Sequence, residues 1–217
     1  MHKFIRHYSL VDQIIIGADQ LVKTLSNQPD STDRPTPKSN FISSSPLSAA
    51  EKKVSAQLMR INHAGEIAAQ ALYHGQAWVA KSSSTRELLW TAAKEEGDHL
   101  IWCQNRLQQL NSHTSYFNPL WYSGSFIIGA LAGFWGDQKS LGFLAETEHQ
   151  VEQHLSYHLE QLPENDYASK AILEQMRQDE HKHAQTALEH GGTSLPFALK
   201  MLMKLTSKIM TSVSKYL

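Results

Sequence analysis

Two Glu-x-x-His pairs, Glu96-Gly-Asp-His99 and Glu180-His-Lys-His183, constrain this chain more than any other feature. On a helix, residues three apart share a face one turn apart, so each pair offers a carboxylate and an imidazole to one ion. A single pair says little. Here the two lie on separate helical segments, and two further segments each carry a glutamate, Glu66 and Glu148, on the apolar stripe. Two Glu-x-x-His motifs plus one glutamate from each of two other helices make up the ligand set of two-metal carboxylate bundles. The Glu66-to-Glu96 interval nearly repeats the Glu148-to-Glu180 interval, as expected if two helical hairpins supply matched half-sites.

Periodicity decides which glutamates face inward. A third Glu-x-x-His, Glu146-Thr-Glu-His149, competes with Glu148. Leu141, Leu144, Glu148, Val151, Leu155 and Leu159 recur at three- and four-residue spacing, whereas Glu146, His149 and Gln153 follow a polar face, so Glu148 is the inward residue. The same test aligns Glu66 with Leu58, Asn62, Ala69 and Tyr73. It aligns Glu180 with Ile172, Met176, His183 and Ala187, and Glu96 with Leu89, Ala92, His99 and Cys103.

The pattern along the chain predicts an all-α protein. Residues 1–25 contain an amphipathic helix from about 9 to 25, and 26–46 read as a flexible linker. Prolines 29, 35 and 37 stand there among serines, threonines and asparagines, with too little apolar surface to order the segment. Residues 47–192 form a four-helix bundle of segments near 48–80, 85–110, 120–162 and 165–190. Ser48 and Glu51 form a predicted capping box, and Gly191-Gly192 a predicted C-cap. Residues 193–217 carry a last amphipathic helix, Phe197 to Tyr216.

Any one glutamate or histidine on a helix is normally solvated. Four carboxylates turned into one core are not, because each buried charge needs a partner or a metal, and no basic residue lies on these stripes near them. Two divalent ions balance four carboxylates. A donor set rich in oxygen and poor in imidazole suits iron or manganese better than zinc or copper, and leaves open positions for dioxygen. Asp179 and Glu95, each just before a motif glutamate, are candidates to orient His99 and His183 through the second ring nitrogen.

Other classes are disfavoured. A net charge of −1 and a pI near 6.9 speak against a nucleic-acid partner. Cys103 is the only cysteine, which rules out an internal disulfide and a multi-cysteine zinc site and fits a reducing compartment. Asp12 and Asp19 interrupt the apolar stretch around Ile14–Ile16, spoiling a signal-peptide core, and the apolar run Phe126–Trp135 is too short to span a bilayer.

Five strings, RINHAGEIAAQALYHGQ (60–76), KEEGDHLIWCQNRL (94–107), NPLWYSGSFIIGALAGFWGD (118–137), SLGFLAETEHQVEQHL (140–155) and QMRQDEHKHAQTALEHGG (175–192), closely resemble the bacterial demethoxyubiquinone hydroxylase family. The resemblance extends from the first helix to the last, with the linker matching least. It implies a ferritin-like four-helix bundle with an extra N-terminal helix and a C-terminal amphipathic helix, holding two iron ions. By motif, Glu66 and Glu148 resemble the family's terminal ligands, Glu96 and Glu180 its bridging ligands, and His99 and His183 its nitrogen ligands. His154 falls where the family places a histidine linked to proton or electron relay, although the adjacent Leu155 replaces a tyrosine of animal members. The implied reaction is a monooxygenation in ubiquinone biosynthesis, in which dioxygen hydroxylates the ring of a polyprenylated demethoxyubiquinol before a methyltransferase completes the methoxy group.

Such a substrate lives in the bilayer. Phe197, Leu199, Met201, Leu202, Leu205, Ile209, Val213 and Tyr216, with Lys200, Lys204, Lys208 and Lys215 among them, fit an interfacial helix. Trp121, Tyr122, Phe126 and Trp135 mark a second expected contact. The expected location is the cytoplasmic face of the bacterial inner membrane, with a ubiquinone-synthesis complex or a homo-oligomer as further partners. The competing readings are a ferritin-like ferroxidase or iron store, which needs no lipid surface, and a non-enzymatic lipid-binding bundle.

Overall fold

The computed structural model describes residues 9–26, 28–41 and 46–216. Among the described residues there are seven helices: α1 (Leu10–Leu25), α2 (Ala49–Val79), α3 (Ser83–Gln109), α4 (Asn118–Phe134), α5 (Asp137–Gln161), α6 (Tyr167–Glu189) and α7 (Phe197–Ser214). The described residues contain no strand. Helices α2 and α3 pack as one hairpin and α5 and α6 as another, and these four helices carry the six predicted ligands.

Local sequence sets the helix ends. Ser48 accepts from the Glu51 N–H while the Glu51 carboxylate accepts from the Ser48 N–H, which is the predicted capping box. At the end of α6, Gly192 N donates to Ala187 O and Gly191 N to Leu188 O, each at 3.0 Å. This pair of bonds is a Schellman stop, and it ends the helix at the predicted glycines.

The third predicted helix is corrected: it is two helices. Gly136, at φ +100°, separates α4 from α5. A left-handed residue cannot continue a right-handed helix, and glycine accepts that conformation without a Cβ clash. The Asp137 carboxylate then accepts from the backbone N–H groups of Lys81 and Ser82 at 3.0 and 2.8 Å, fastening the α2–α3 turn to the start of α5. Helix α4 becomes the crossover between hairpins and lies along α2. A Cβ on Gly129 would stand 2.1 Å from Leu72 O, and one on Gly75 would stand 2.1 Å from Phe126 O, so only glycine permits this approach.

The core has two main apolar layers, one on each side of the ligands. Met59, Trp102, Leu107, Leu155, Leu173 and Met176 belong to the first layer; Tyr73, Leu89, Leu141, Leu144 and Ala187 belong to the second. Helix α1 joins the body through Leu21 and Leu25 beside Ile67, and Thr24 donates to Gln70 at 2.5 Å.

The segment read as an unordered linker is also corrected. Among its described residues it has no helix or strand, yet polar bonds fasten it to the bundle. Gln20 and Lys23 hold Asp30 at 2.9 and 3.1 Å, and Arg34 pairs with Asp98 and Asp179 at 2.8 Å each. Apolar content is a poor guide here, because buried carboxylates elsewhere in the chain supply the anchor.

Candidate metal centre

All six predicted ligands converge between the two hairpins. Glu66 comes from α2, Glu96 and His99 from α3, Glu148 from α5, and Glu180 and His183 from α6. Five are at most 2% exposed, and His183 is 9% exposed. Their donor atoms form two interlocking groups, Glu66–Glu96–His99–Glu180 and Glu96–Glu148–Glu180–His183, each within 4.8 Å. Glu96 and Glu180 belong to both, so a metal in each group would share two bridging carboxylates. Glu66 and Glu148 each belong to one group only.

The imidazoles are oriented for the same purpose. His99 Nδ1 lies 2.9 Å from Glu96 Oε2, 3.2 Å from Glu180 Oε1 and 3.5 Å from Glu66 Oε2. His183 Nδ1 lies 3.3, 3.4 and 3.5 Å from Glu96, Glu148 and Glu180. The opposite nitrogens meet the two predicted orienting acids across the bundle: His99 Nε2 is 3.2 Å from Asp179, and His183 Nε2 is 2.7 Å from Glu95. A carboxylate on Nε2–H fixes the tautomer that leaves Nδ1 free to ligate.

The donor set fits a pair of divalent ions. Oxygens of Glu66, Glu96, Glu148 and Glu180 and the Nδ1 of His183 are buried without a hydrogen-bond partner. Leaving several ionised oxygens unpaired in a dry core costs several kcal/mol per ion, which a shared cation relieves. In the protein alone, burial pushes the Glu66 carboxyl well above its ordinary range, and burial with the Glu180 charge does the same to Glu148. Burial also opposes ionisation of Glu96 and Glu180, yet the imidazoles of His99 and His183 pull both below it. Against burial, the surrounding carboxylates hold both imidazoles well above the usual histidine range. Cations in the centre would replace these protons.

Sequence reasoning missed three neighbours. Tyr73 lies on the inward stripe, and its hydroxyl donates to Glu148 Oε1 at 2.5 Å. Asp98 sits inside the first Glu-x-x-His motif but turns to the opposite side, where it accepts from Thr32 N and Oγ1 and from Arg34 Nε. Arg34 bonds both Asp98 and Asp179, and its backbone carbonyl accepts from Trp102 Nε1. No periodic signal marks Arg34. The composition of segment 26–46 hides it.

His154 is not among the grouped donors. It lines a cavity of about 500 Å³ enclosed by α2, α4, α5 and α7. That cavity touches the metal centre at Glu66, and its wall is otherwise mostly apolar, including Leu72, Phe143, Leu155 and Met203. Leu120, Ile128 and Leu202 both line it and are exposed, which puts its mouth between α4 and α7. His154 Nε2 is buried without a partner, the ring lies 3.9 Å from that of His158, and burial lowers its pKa to about 4.

Two expectations about the outer helices change. Tyr122 faces inward, 2% exposed, bonded to His74 Nδ1 at 2.9 Å, and Trp121 lines the cavity; Trp135 is the exposed member of that set. Lys200 pairs with Glu146 at 2.7 Å and is committed within the protein. The outward surface of α4 is instead Leu120, Ile127, Leu131 and Phe134, and that of α7 includes Phe197, Met201, Leu202, Leu205 and Ile209. Among the described residues, no helix is long and apolar enough to cross a membrane.

Comparison with known proteins gives consistent matches. The family described as ubiquinone biosynthesis protein COQ7 matches residues 53–214. The 3-demethoxyubiquinol 3-hydroxylase of Nitrosococcus oceani is 50% identical, covering 98% of this chain and 99% of its own. That of Polynucleobacter necessarius is 50% identical over 95% of this chain and 98% of its own. The Coxiella burnetii protein of the same name is 48% identical over 98% of each.

Proposed function

The chain belongs to the family described as ubiquinone biosynthesis protein COQ7, and from that membership we propose that it is a 3-demethoxyubiquinol 3-hydroxylase using two irons held by Glu66, Glu96, His99, Glu148, Glu180 and His183. One observation carries the reading: Glu66 belongs both to the ligand cluster and to the wall of an apolar cavity. A quinol ring in that cavity would lie against Glu66, one of the residues that would hold the metals, with an isoprenoid tail leaving between α4 and α7. Reduced iron in the centre supplies the redox chemistry of dioxygen activation.

The protein's own groups position the substrate and exclude water. The apolar wall favours a ring and tail over ions, because burying apolar surface stabilises the complex by about 25 cal/mol per Å². His154 lines the cavity and burial keeps its ring neutral near pH 7, so it adds no charge to the wall that meets the quinol. Tyr73 holds Glu148 from behind, and Asp179 and Glu95 hold the two histidines, so the ligand set is fixed before substrate enters.

The ferroxidase reading has no support in the names of the relatives, and a lipid-sized apolar cavity is foreign to an iron path. The exposed apolar strips of α4 and α7 border the cavity mouth, with Lys204 and Lys208 exposed on α7. This arrangement supports seating on the cytoplasmic face of the inner membrane, where substrate enters directly from the lipid. A ubiquinone-synthesis complex or a second copy would dock on the same strips.

The test loads the chain anaerobically with ferrous iron, counts metal, and adds demethoxyubiquinol and oxygen. About two irons per chain with hydroxylated quinol supports the hydroxylase. Iron oxidation without product favours the ferroxidase, and no stoichiometric iron removes the centre. Flotation with anionic vesicles checks the membrane contact.

A further inference from the structure

The two histidines of the centre are backed differently. Asp179, behind His99, is 2% exposed and receives Arg34 Nη1 at 2.8 Å. Arg34 is held in turn by buried Asp98 at 2.8 Å and lies 4.9 Å over the Trp102 ring, which itself lies 5.2 Å from the His99 ring. The segment bearing Arg34 presses on α3 next to Glu96. A Cβ on Gly97 would stand 2.0 Å from Asp30 O, closer than any side chain permits. Glu95, behind His183, is 32% exposed at its side chain, and among the described residues no lysine or arginine pairs with it.

We propose that residues 30–34 form a clasp, with Arg34 as its positioning residue, that retains the metal in the Glu66/His99 position and makes the two positions of one centre exchange at different rates. The clasp rests on the two-metal reading above. For a metal to leave this position, His99 must swing off it, and that ring is held by Asp179, a carboxylate closed to water and fixed by Arg34, which buried Asp98 anchors in turn. On the other side His183 is held by one partly exposed acid with water at its edge. Outer carboxylates of this kind change metal retention by roughly 10–100-fold.

The test is ferrous release from the loaded full chain to an excess of a coloured iron chelator. The unaltered protein should lose its two irons in two phases of equal amplitude. Glu95→Gln should quicken only the fast phase, assigning it to the His183 side. Arg34→Ala should quicken only the slow phase, by on the order of 10–100-fold, and Arg34→Lys should restore part of the loss. Gly97→Ala keeps every charge and favours the helix but displaces the strap, so it should reproduce Arg34→Ala. A normal two-iron chain that releases both irons in one phase, or whose Arg34 and Gly97 variants leave the slow phase unchanged, overturns the clasp alone. Equal quickening of both phases, with a lowered melting temperature, overturns it as general loosening. An unaltered chain that takes up no stoichiometric iron overturns the two-metal reading and the clasp with it.

Discussion

The Glu66/His99 half of the centre and the Glu148/His183 half use the same ligand types on equivalent helical hairpins, yet their surroundings differ. The first half is closed from outside by an N-terminal strap, Arg34 and two buried aspartates. The second is supported from inside by Tyr73 on Glu148 and edged by the partly exposed Glu95. Glu66 also faces the cavity. The half that lines the cavity is thus the one whose outer side is fastened hardest. Internal pseudo-symmetry gives two candidate metal positions, and residues outside the repeat give them unequal surroundings.

The severest test of the comparison removes what both halves share. Glu180→Ala should abolish hydroxylation and the paired-metal stoichiometry while vesicle binding persists; intact turnover would contradict the ligand set. Next, Asp179→Asn should weaken metal binding more than Glu95→Gln, because it also leaves Arg34 without one of its acids. We expect about 100-fold against about 10-fold by competitive titration, and equal losses would break the asymmetry. Tyr73→Phe should act on the second half alone. Losing a hydrogen bond to a charged acceptor is worth about 1.5–3 kcal/mol, roughly 10–100-fold, visible as quicker release from the His183 side only.

The smallest effect on the two metal positions should come from a site remote from both halves. His74, buried against Tyr122, has its pKa lowered by burial to about 3. Its folded value lies below the unfolded one near 6.5. The stability this neutral ring contributes is therefore complete above pH 6.5 and is lost as pH falls toward about 3, by up to about 1.4 kcal/mol per pH unit. Urea unfolding of the metal-free chain at several pH values should show a slope to which buried His63, His154 and His158 also contribute, and His74→Gln should remove only its own share without altering the difference between the metal positions.

Much of the centre was legible in sequence because helices convert spacing into direction. Glu66, Glu148 and the two Glu-x-x-His pairs needed only a 3.6-residue period, and Asp179 and Glu95 needed only the step before it. The Gly136 break was not legible, since one glycine at the end of an apolar run reads equally well as tolerated within a helix. Nor was the inward turn of Tyr122, because α4 is apolar nearly all round and periodicity cannot choose its buried side.

The sequence by itself determined the all-α class, the helix ends at Ser48 and Gly191, the six candidate ligands and the family. These follow from local periodicity, capping and motif order, all properties of neighbours along the chain. Only the tertiary structure decided that Tyr73 bonds Glu148, that Glu66 opens on a cavity, and that Arg34 joins Asp98 to Asp179. Each of those is a contact between groups distant in sequence, selected by the need to pair charges and hydrogen bonds once water is excluded.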